Sequence, residues 1–235
     1  MNIIGLDTTT HSFCIGLIQG EKIHSRIIVD NKGFHSEEFL HYLEKILKEH
    51  NLTEMEIDGY AISIGPGSLT GIRVGLAFLK GIGFVTGKPV VPVETLFAVA
   101  YEFRDSKEYI CPVLTTKKKK VFCALYRFSS VTAGFSLRES PRYERIKNDG
   151  EETVIEQSCI RIEKLLDYLP ENDILFLGSG ALQYRDEIIT RCGERAHFEM
   201  KMIHHPDPTV VALIGLIKIS EGDFPSIEEL EPIYL

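Results

Sequence analysis

With 235 residues and a 44% apolar composition, the chain has enough non-polar mass for a substantial core, in one large domain or two small ones. A formal net charge of -8 argues against a free-standing RNA-binding module, because the long-range field repels phosphate and any RNA contact must come through a local basic patch or a partner chain. The five cysteines form no Cys-x-x-Cys pair for zinc or dithiol chemistry and fit buried thiols in a reducing compartment. The N-terminus, MNIIGLDTTT, lacks a basic flank and a small-residue cleavage site, and no apolar run approaches bilayer-spanning length; a cytoplasmic location without membrane contact is expected.

Three β-rich segments come first, Asn2 to Asp7, Ser12 to Ile18 and Lys22 to Val29, and the short turns between them predict an antiparallel meander. HSEEFLHYLEKILKEH follows, with Ser36 as N-cap and an apolar stripe of Phe39, Leu43, Ile46 and Leu47 at helical spacing. A strand GYAISIG, a glycine-rich helix from Thr70 to Val85, a strand PVVPVE and a helix TLFAVAYEF complete the first half. The second half repeats the order: strands at Tyr109 to Leu114, Val121 to Phe128 and around Tyr143 to Lys147, a helix over Ile155 to Leu169, then another strand and helix. Its strand ILFLGSGAL turns through Gly178-Ser179-Gly180 much as ISIGPGSL turns through Gly65-Pro66-Gly67. Two tandem copies of strand, strand, strand, helix, strand, helix predict a duplicated α/β architecture with mixed sheets. A closing helix over Pro208 to Glu221 starts with Asp207 as cap and Pro208 in the first turn, and Ser129 to Ser140 reads as a hairpin or loop.

Most local motifs for chemistry fail on spacing. Gly87-Lys88 is followed by Pro89 and has Ile82 where a P-loop needs its first glycine, and Ser68 follows Gly67 directly, which rules out a Gly-x-Ser-x-Gly elbow. No two of the eight histidines stand three or four apart, the spacing that puts two rings on one helix face, so no metal site is expected. Lys117 to Lys120 read as a solvated hairpin tip. Asp7-Thr8-Thr9-Thr10 ends the first strand, either as a turn satisfying its own backbone or as hydroxyls and N–H groups facing a phosphate.

The stretch AISIGPGSLTGIRVGLAFLKGIGF, residues 61–84, holds six glycines. They either cradle a phosphate at a helix N-terminus or admit another backbone at close range. In helical projection Val74, Phe78, Ile82 and Val85 share one face with Gly71 and Gly75 at its edge, and this face is expected on the sheet. The opposite side carries Ile72, Leu76, Leu79 and Gly83, broken only by Arg73 and Lys80. A helix apolar almost all round needs a second burial partner, either the chain's own second half or another protein.

IIGLDTTT, HSEEFLHYL, GPGSLTGIRVGLAFLKGI, KPVVPVETLFAVA, GSGALQY and the terminal EPIYL together resemble, in order, the bacterial TsaB (formerly YeaZ) proteins of tRNA threonylcarbamoyladenosine synthesis. The resemblance implies an actin-like, Hsp70-like (ASKHA) fold of two ribonuclease H-like halves, residues 1–103 with a returning helix at 207–222, and residues 104–206. It also implies a non-catalytic subunit. Its partners would be a TsaD-like transferase carrying the His-x-x-x-His metal pair absent here, a TsaE-like ATPase, and tRNA reached through the complex, with a homodimer when isolated. Pairing is implied to use the first two helices, through Phe39, Leu43 and Leu47 and through Leu69, Ile72, Arg73, Leu76, Leu79, Lys80 and Gly83. Asp7, Thr8, Thr9, Gly65 and Gly67 are the residues that ATP or ADP at the junction would meet. An independent ATPase built on the same residues is the competing reading. Three departures from the family pattern stand out: Leu69 for a usual phenylalanine, Thr115-Thr116-Lys117 for Asp-Ala-Arg, and a chain that stops at Leu235 without a final arginine.

Overall fold

A computed structural model describes residues 1–10, 12–20, 22–30, 37–106, 108–116, 119–128, 146–148, 151–153, 155, 157–199 and 205–235. Ser36, Lys117, Lys118, His204 and the 129–140 loop lie outside the described residues. The chain divides into one unit of residues 1–98 with 205–234 and a second of residues 99–204. The first hand-over thus comes after Ala98 instead of residue 103, and the returning segment extends past the closing helix to Tyr234.

In the first unit, β1 (Asn2–Asp7), β2 (Ser12–Gln19) and β3 (Lys22–Asp30) form the expected antiparallel meander. After helix α1 (Glu37–Glu49), β4 (Gly59–Ser63) joins β1 in parallel; after helix α2 (Leu69–Thr86), β5 (Val90–Val93) joins β4 in parallel. The sheet order is β3-β2-β1-β4-β5. The period-2 alternation of the strands sorts the core into two layers. Ile4, Leu6, Phe13, Ile15, Leu17, Tyr60 and Ile62 cluster with Phe39, Leu43, Ile46 and Leu47 of α1 and with Leu76 and Leu79 of α2. On the other face Ile3 and Ile18 meet Ala212 of the closing helix.

Helix α3 (Thr95–Tyr101) leads into the second unit, where β6 (Tyr109–Thr115) and β7 (Lys120–Cys123) pair antiparallel. The two-stranded ribbon β8 (Ile146–Asn148) and β9 (Glu151–Thr153) follows, apart from the sheet. The third sheet strand is β10 (Ser158–Arg161), antiparallel to β7, and not the expected 143–147 segment, whose first three residues lie outside the described set. Helix α4 is accordingly short, Ile162–Asp167. The predicted helical pattern over 155–169 merged two elements, because Ser158–Arg161 is used as an edge strand opposite Lys120–Cys123. After β11 (Ile174–Leu177), α5 (Ser179–Gln183), α6 (Arg185–Cys192) and β12 (Ala196–Phe198), the order is β10-β7-β6-β11-β12, the same topology as the first unit. Helix α7 (Pro208–Glu221) returns to the first unit, with the Asp207 carboxylate accepting the Thr209 N–H at 2.9 Å.

The glycines of α2 answer to packing. The Ser68 hydroxyl caps the helix and Gly87, in the left-handed region, ends it. A Cβ on Gly71 would strike the Thr8 carbonyl, one on Gly75 would stand 2.5 Å from Thr8 Oγ1, and one on Gly67 would meet the Thr9 carbonyl. The second unit repeats the contact where Gly180 faces Val113 at the end of β6. In length and composition α2 also qualifies as a membrane-crossing helix, contrary to the sequence expectation, but Ile72, Gly75, Leu76, Leu79 and Gly83 are buried against the protein's own core.

Gly81 is the exception in α2: among the described residues nothing lies within 4 Å of where its Cβ would be. Gly71→Ala is therefore expected to destabilise the chain by about 1–3 kcal/mol through overpacking, and Gly81→Ala to stabilise it by about 0.5–1 kcal/mol through backbone entropy. Urea unfolding of the two variants beside the parent checks the opposite signs.

Candidate functional site

The sequence assigned the faces of α2 in reverse. Ile72, Leu76 and Leu79, expected to face a partner, are at most 5% exposed and form the sheet-facing row together with Gly83. Val74, Phe78 and Ile82, expected on the sheet, are half-buried at the flank, and Val85 is 84% exposed. Helical projection located two apolar rows correctly but could not tell which one the glycine edge would carry inward; the approach of Thr8 to Gly71 and Gly75 decides it. Phe39, Leu43 and Leu47 of α1 are likewise core residues and not surface residues, with Phe39 stacked on Phe78 at 4.3 Å and edge-on to Phe13 at 4.9 Å. An amphipathic stripe next to a sheet buries first against that sheet.

Of the ten residues singled out for pairing, Leu69 and Arg73 are exposed and Lys80 is half-buried. Leu69, Arg73, Ala77, Gly81 and Val85 follow one another at four-residue spacing and form an exposed row along α2, beside Phe84, which is 78% exposed. Next to this row, a shallow groove between α1 and α2 is lined by Leu40, Ala77, Phe78, Gly81, Ile82 and Val85. Ala77, Gly81 and Phe84 of this exposed face are not among the residues the sequence singled out.

Asp7, Thr8, Thr9, Gly65 and Gly67 do come together, at the ends of β1 and β4, but they are largely closed in. Asp7, Thr8 and Thr9 are 0, 4 and 3% exposed. The Thr9 hydroxyl donates to Asp7 Oδ1 at 2.8 Å, and the N–H of Ser68 donates to the Thr9 carbonyl at 2.6 Å. The Gly65 N–H donates to Thr95 Oγ1 at 3.1 Å, and that of Gly71 to Ser68 Oγ at 3.3 Å. Three N–H donors at this corner are thus spent within the chain. Asp7 Oδ2, Thr8 Oγ1 and Ser63 Oγ are buried without hydrogen-bond partners among the described residues. Burial lifts the Asp7 carboxyl to about 6, against the downward pull of the Thr9 and Ser63 hydroxyls, His205 and the Thr9 backbone. Ser63 therefore lies close enough to act on the carboxyl although its hydroxyl completes no hydrogen bond. Among the described residues, no three His, Cys, Asp or Glu side chains are grouped to hold a metal ion. The thiols of Cys111, Cys123 and Cys192 are raised by burial, Cys123 to about 12, which leaves them unreactive.

Two units of identical strand order, each with a glycine turn packed on the end of its first strand, define a duplicated α/β protein of the actin-like (ASKHA) class. The solved YeaZ from Pseudomonas aeruginosa shares this fold, with a TM-score of 0.75 at 18% identity over 100% of this chain and 99% of that one. The ROK hexokinase from Thermus thermophilus follows it more loosely, at a TM-score of 0.53 and 11% identity over 94% of this chain and 100% of that one. Residues 29–221 match the family model described as TsaD, tRNA N6-adenosine threonylcarbamoyltransferase, and the chain belongs to that family. Along its entire length it is similar to proteins named tRNA threonylcarbamoyladenosine biosynthesis protein TsaB. It is 23% identical over 237 residues to that of Bacillus subtilis (strain 168), covering 100% of this chain and 94% of that protein. To that of Haemophilus influenzae (strain ATCC 51907 / DSM 11121 / KW20 / Rd) it is 24% identical over 250 residues, covering 100% and 93%. The resemblance to the TsaB (YeaZ) family carried by the sequence motifs therefore extends from end to end.

The Asp7 carboxyl gives a pH signature. The folded chain holds this proton to about pH 6, whereas the ordinary aspartate value is 3.8, so the folded state binds more protons between these limits and stability falls as pH rises through them. The loss amounts to about 3 kcal/mol at most. Asp7→Asn is expected to remove most of this slope, which denaturant midpoints measured from pH 4 to pH 7 check.

Proposed function

We propose that this chain is a non-catalytic subunit of a tRNA threonylcarbamoyladenosine-synthesising complex, pairing with a TsaD-like catalytic paralogue through the outer row of α2 and the groove beside α1. The TsaD-like protein transfers the threonylcarbamoyl group to the adenosine next to the anticodon, a TsaE-like ATPase is the third member, and tRNA is engaged by the assembly. Similarity to TsaB proteins over the full length and membership of the TsaD family support this reading.

The observation that carries it is Gly81. A glycine inside an exposed helical segment costs about 1 kcal/mol relative to alanine, and among the described residues no atom within 4 Å requires it. Around it lie Ala77, Val85 and Phe84, small residues beside large exposed apolar ones. Close approach of another backbone along this row explains both the missing side chain and the exposed rings.

Gly81→Gln is expected to raise the urea midpoint of the isolated chain slightly, as Gly81→Ala does, and Phe84→Glu to leave it nearly unchanged, while both weaken capture of the TsaD-family protein of the same genome by at least about tenfold, or 1.4 kcal/mol. Parental affinity in both variants contradicts the proposed interface. In a reconstituted modification assay, omitting this chain should abolish product. The purified chain alone should neither modify tRNA nor hydrolyse ATP; turnover by the lone chain that Asp7→Asn removes would favour the ATPase reading.

A further inference from the structure

Besides the sheet and α1, α2 packs against the chain's own C-terminal segment. After the α7 cap, residues 223–235 contain no helix or strand, yet they run along the flank of α2. Leu230 is 2% exposed, and Ile227 and Ile233 pack on the same core cluster as Leu76, Leu79 and Ile82. The Ile233 N–H donates to the Ile64 carbonyl at 2.8 Å. Two glycines let the segment sit flush: a Cβ on Gly65 would stand 2.7 Å from the Ile233 carbonyl, and one on Gly83 would stand 3.0 Å from Ile227 Cδ1.

Two cations of α2, seven residues apart and so on one helix face, hold this segment from above. Lys80 Nζ donates to the Glu228 carbonyl at 3.4 Å, and Arg73 Nε donates to the Tyr234 hydroxyl at 3.1 Å with its guanidinium 5.7 Å from the Tyr234 ring centre. Arg73 also belongs to the exposed row of α2, which links the segment directly to that row.

We propose that residues 223–235 act as a strap whose seating fixes the outer row of α2 for docking, with Tyr234 as the positioning residue that locks it. The proposal rests on the pairing function put forward above. The sheet-facing residues Ile72, Leu76 and Leu79 hold α2 on the core independently of Tyr234. Releasing the end of the strap therefore changes how α2 is presented before it changes whether the unit folds. The ring of Tyr234, 57% exposed, contributes little burial of its own.

The test uses the full chain and the TsaD-family protein of the same genome, with affinity, urea midpoint and hydrogen exchange at the α2 backbone measured together. Tyr234→Ala should lower affinity about tenfold and raise exchange along α2 while leaving the urea midpoint almost in place. Tyr234→Phe keeps the ring on Arg73 and should restore most of the affinity. Leu230→Ser, which pulls out the buried anchor, should lower affinity at least as much. Parental affinity in Tyr234→Ala overturns the strap but leaves the pairing reading standing; so does an affinity loss matched by a fall in the urea midpoint that Tyr234→Phe does not rescue. No binding by the parent chain overturns both.

Discussion

The first unit depends on the contact between one edge of a helix and the end of a strand. Gly67, Gly71 and Gly75 have no side chains, so α2 settles onto the Thr8-Thr9 turn until the Thr9 carbonyl accepts the Ser68 N–H. That seating fixes the rotation of α2 about its own axis. Ile72, Leu76 and Leu79 then point into the sheet, Phe78 meets Phe39 of α1, and Leu69, Arg73, Ala77, Gly81 and Val85 are left outside. The exposed row is thus a geometrical consequence of an internal contact, and the six glycines of residues 61–84 stand in different surroundings. Three admit the Thr8-Thr9 turn, Gly65 admits the C-terminal segment, Gly83 admits Val90 and Ile227, and Gly81 meets nothing within 4 Å among the described residues.

Asp7 stands just before this contact. A carboxyl at the end of β1, in a loop of threonines and glycines, has the composition of an anion or metal-water site, but Asp7 is completely buried, with Thr9, Ser63 and His205 acting on its carboxyl. Its Oδ2, Thr8 Oγ1 and Ser63 Oγ lie there without partners among the described residues, and the carboxyl keeps its proton to about pH 6. A buried polar group without a partner costs stability. The unit tolerates that cost because the apolar layers on both sides of the sheet are extensive.

The chain order of strands and helices in the first unit was legible in the sequence because it rests on periodicity and turn chemistry. The meander of β1 to β3, the apolar stripe of α1 and the Asp207-Pro208 start of α7 each occur at the predicted positions. What failed was any property set by tertiary contact. An α2 with two apolar rows gives no sign of which row faces in until its glycines are matched to Thr8. Ser158–Arg161 reads as the start of a helix until its pairing with β7 is known. In the sequence the strap shows only as a terminal motif, EPIYL; that Tyr234 meets Arg73, 161 residues away, is a contact no local pattern encodes. Of the ten residues expected at the pairing surface, only Leu69 and Arg73 therefore stand outside, Lys80 is half-buried, and the other seven are inside.

Solvent accessibility of the α2 row measures the central claim directly. In an Ala77→Cys variant, maleimide labelling should be fast in the isolated chain, where residue 77 is exposed, measured against the parent, whose own thiols are buried apart from the half-buried Cys159. Adding the TsaD-family protein of the same genome should slow labelling at position 77 by more than about tenfold, as expected for a helix row covered at an interface. Slow labelling in the isolated chain, or an unchanged rate in a complex that demonstrably forms, would contradict the account.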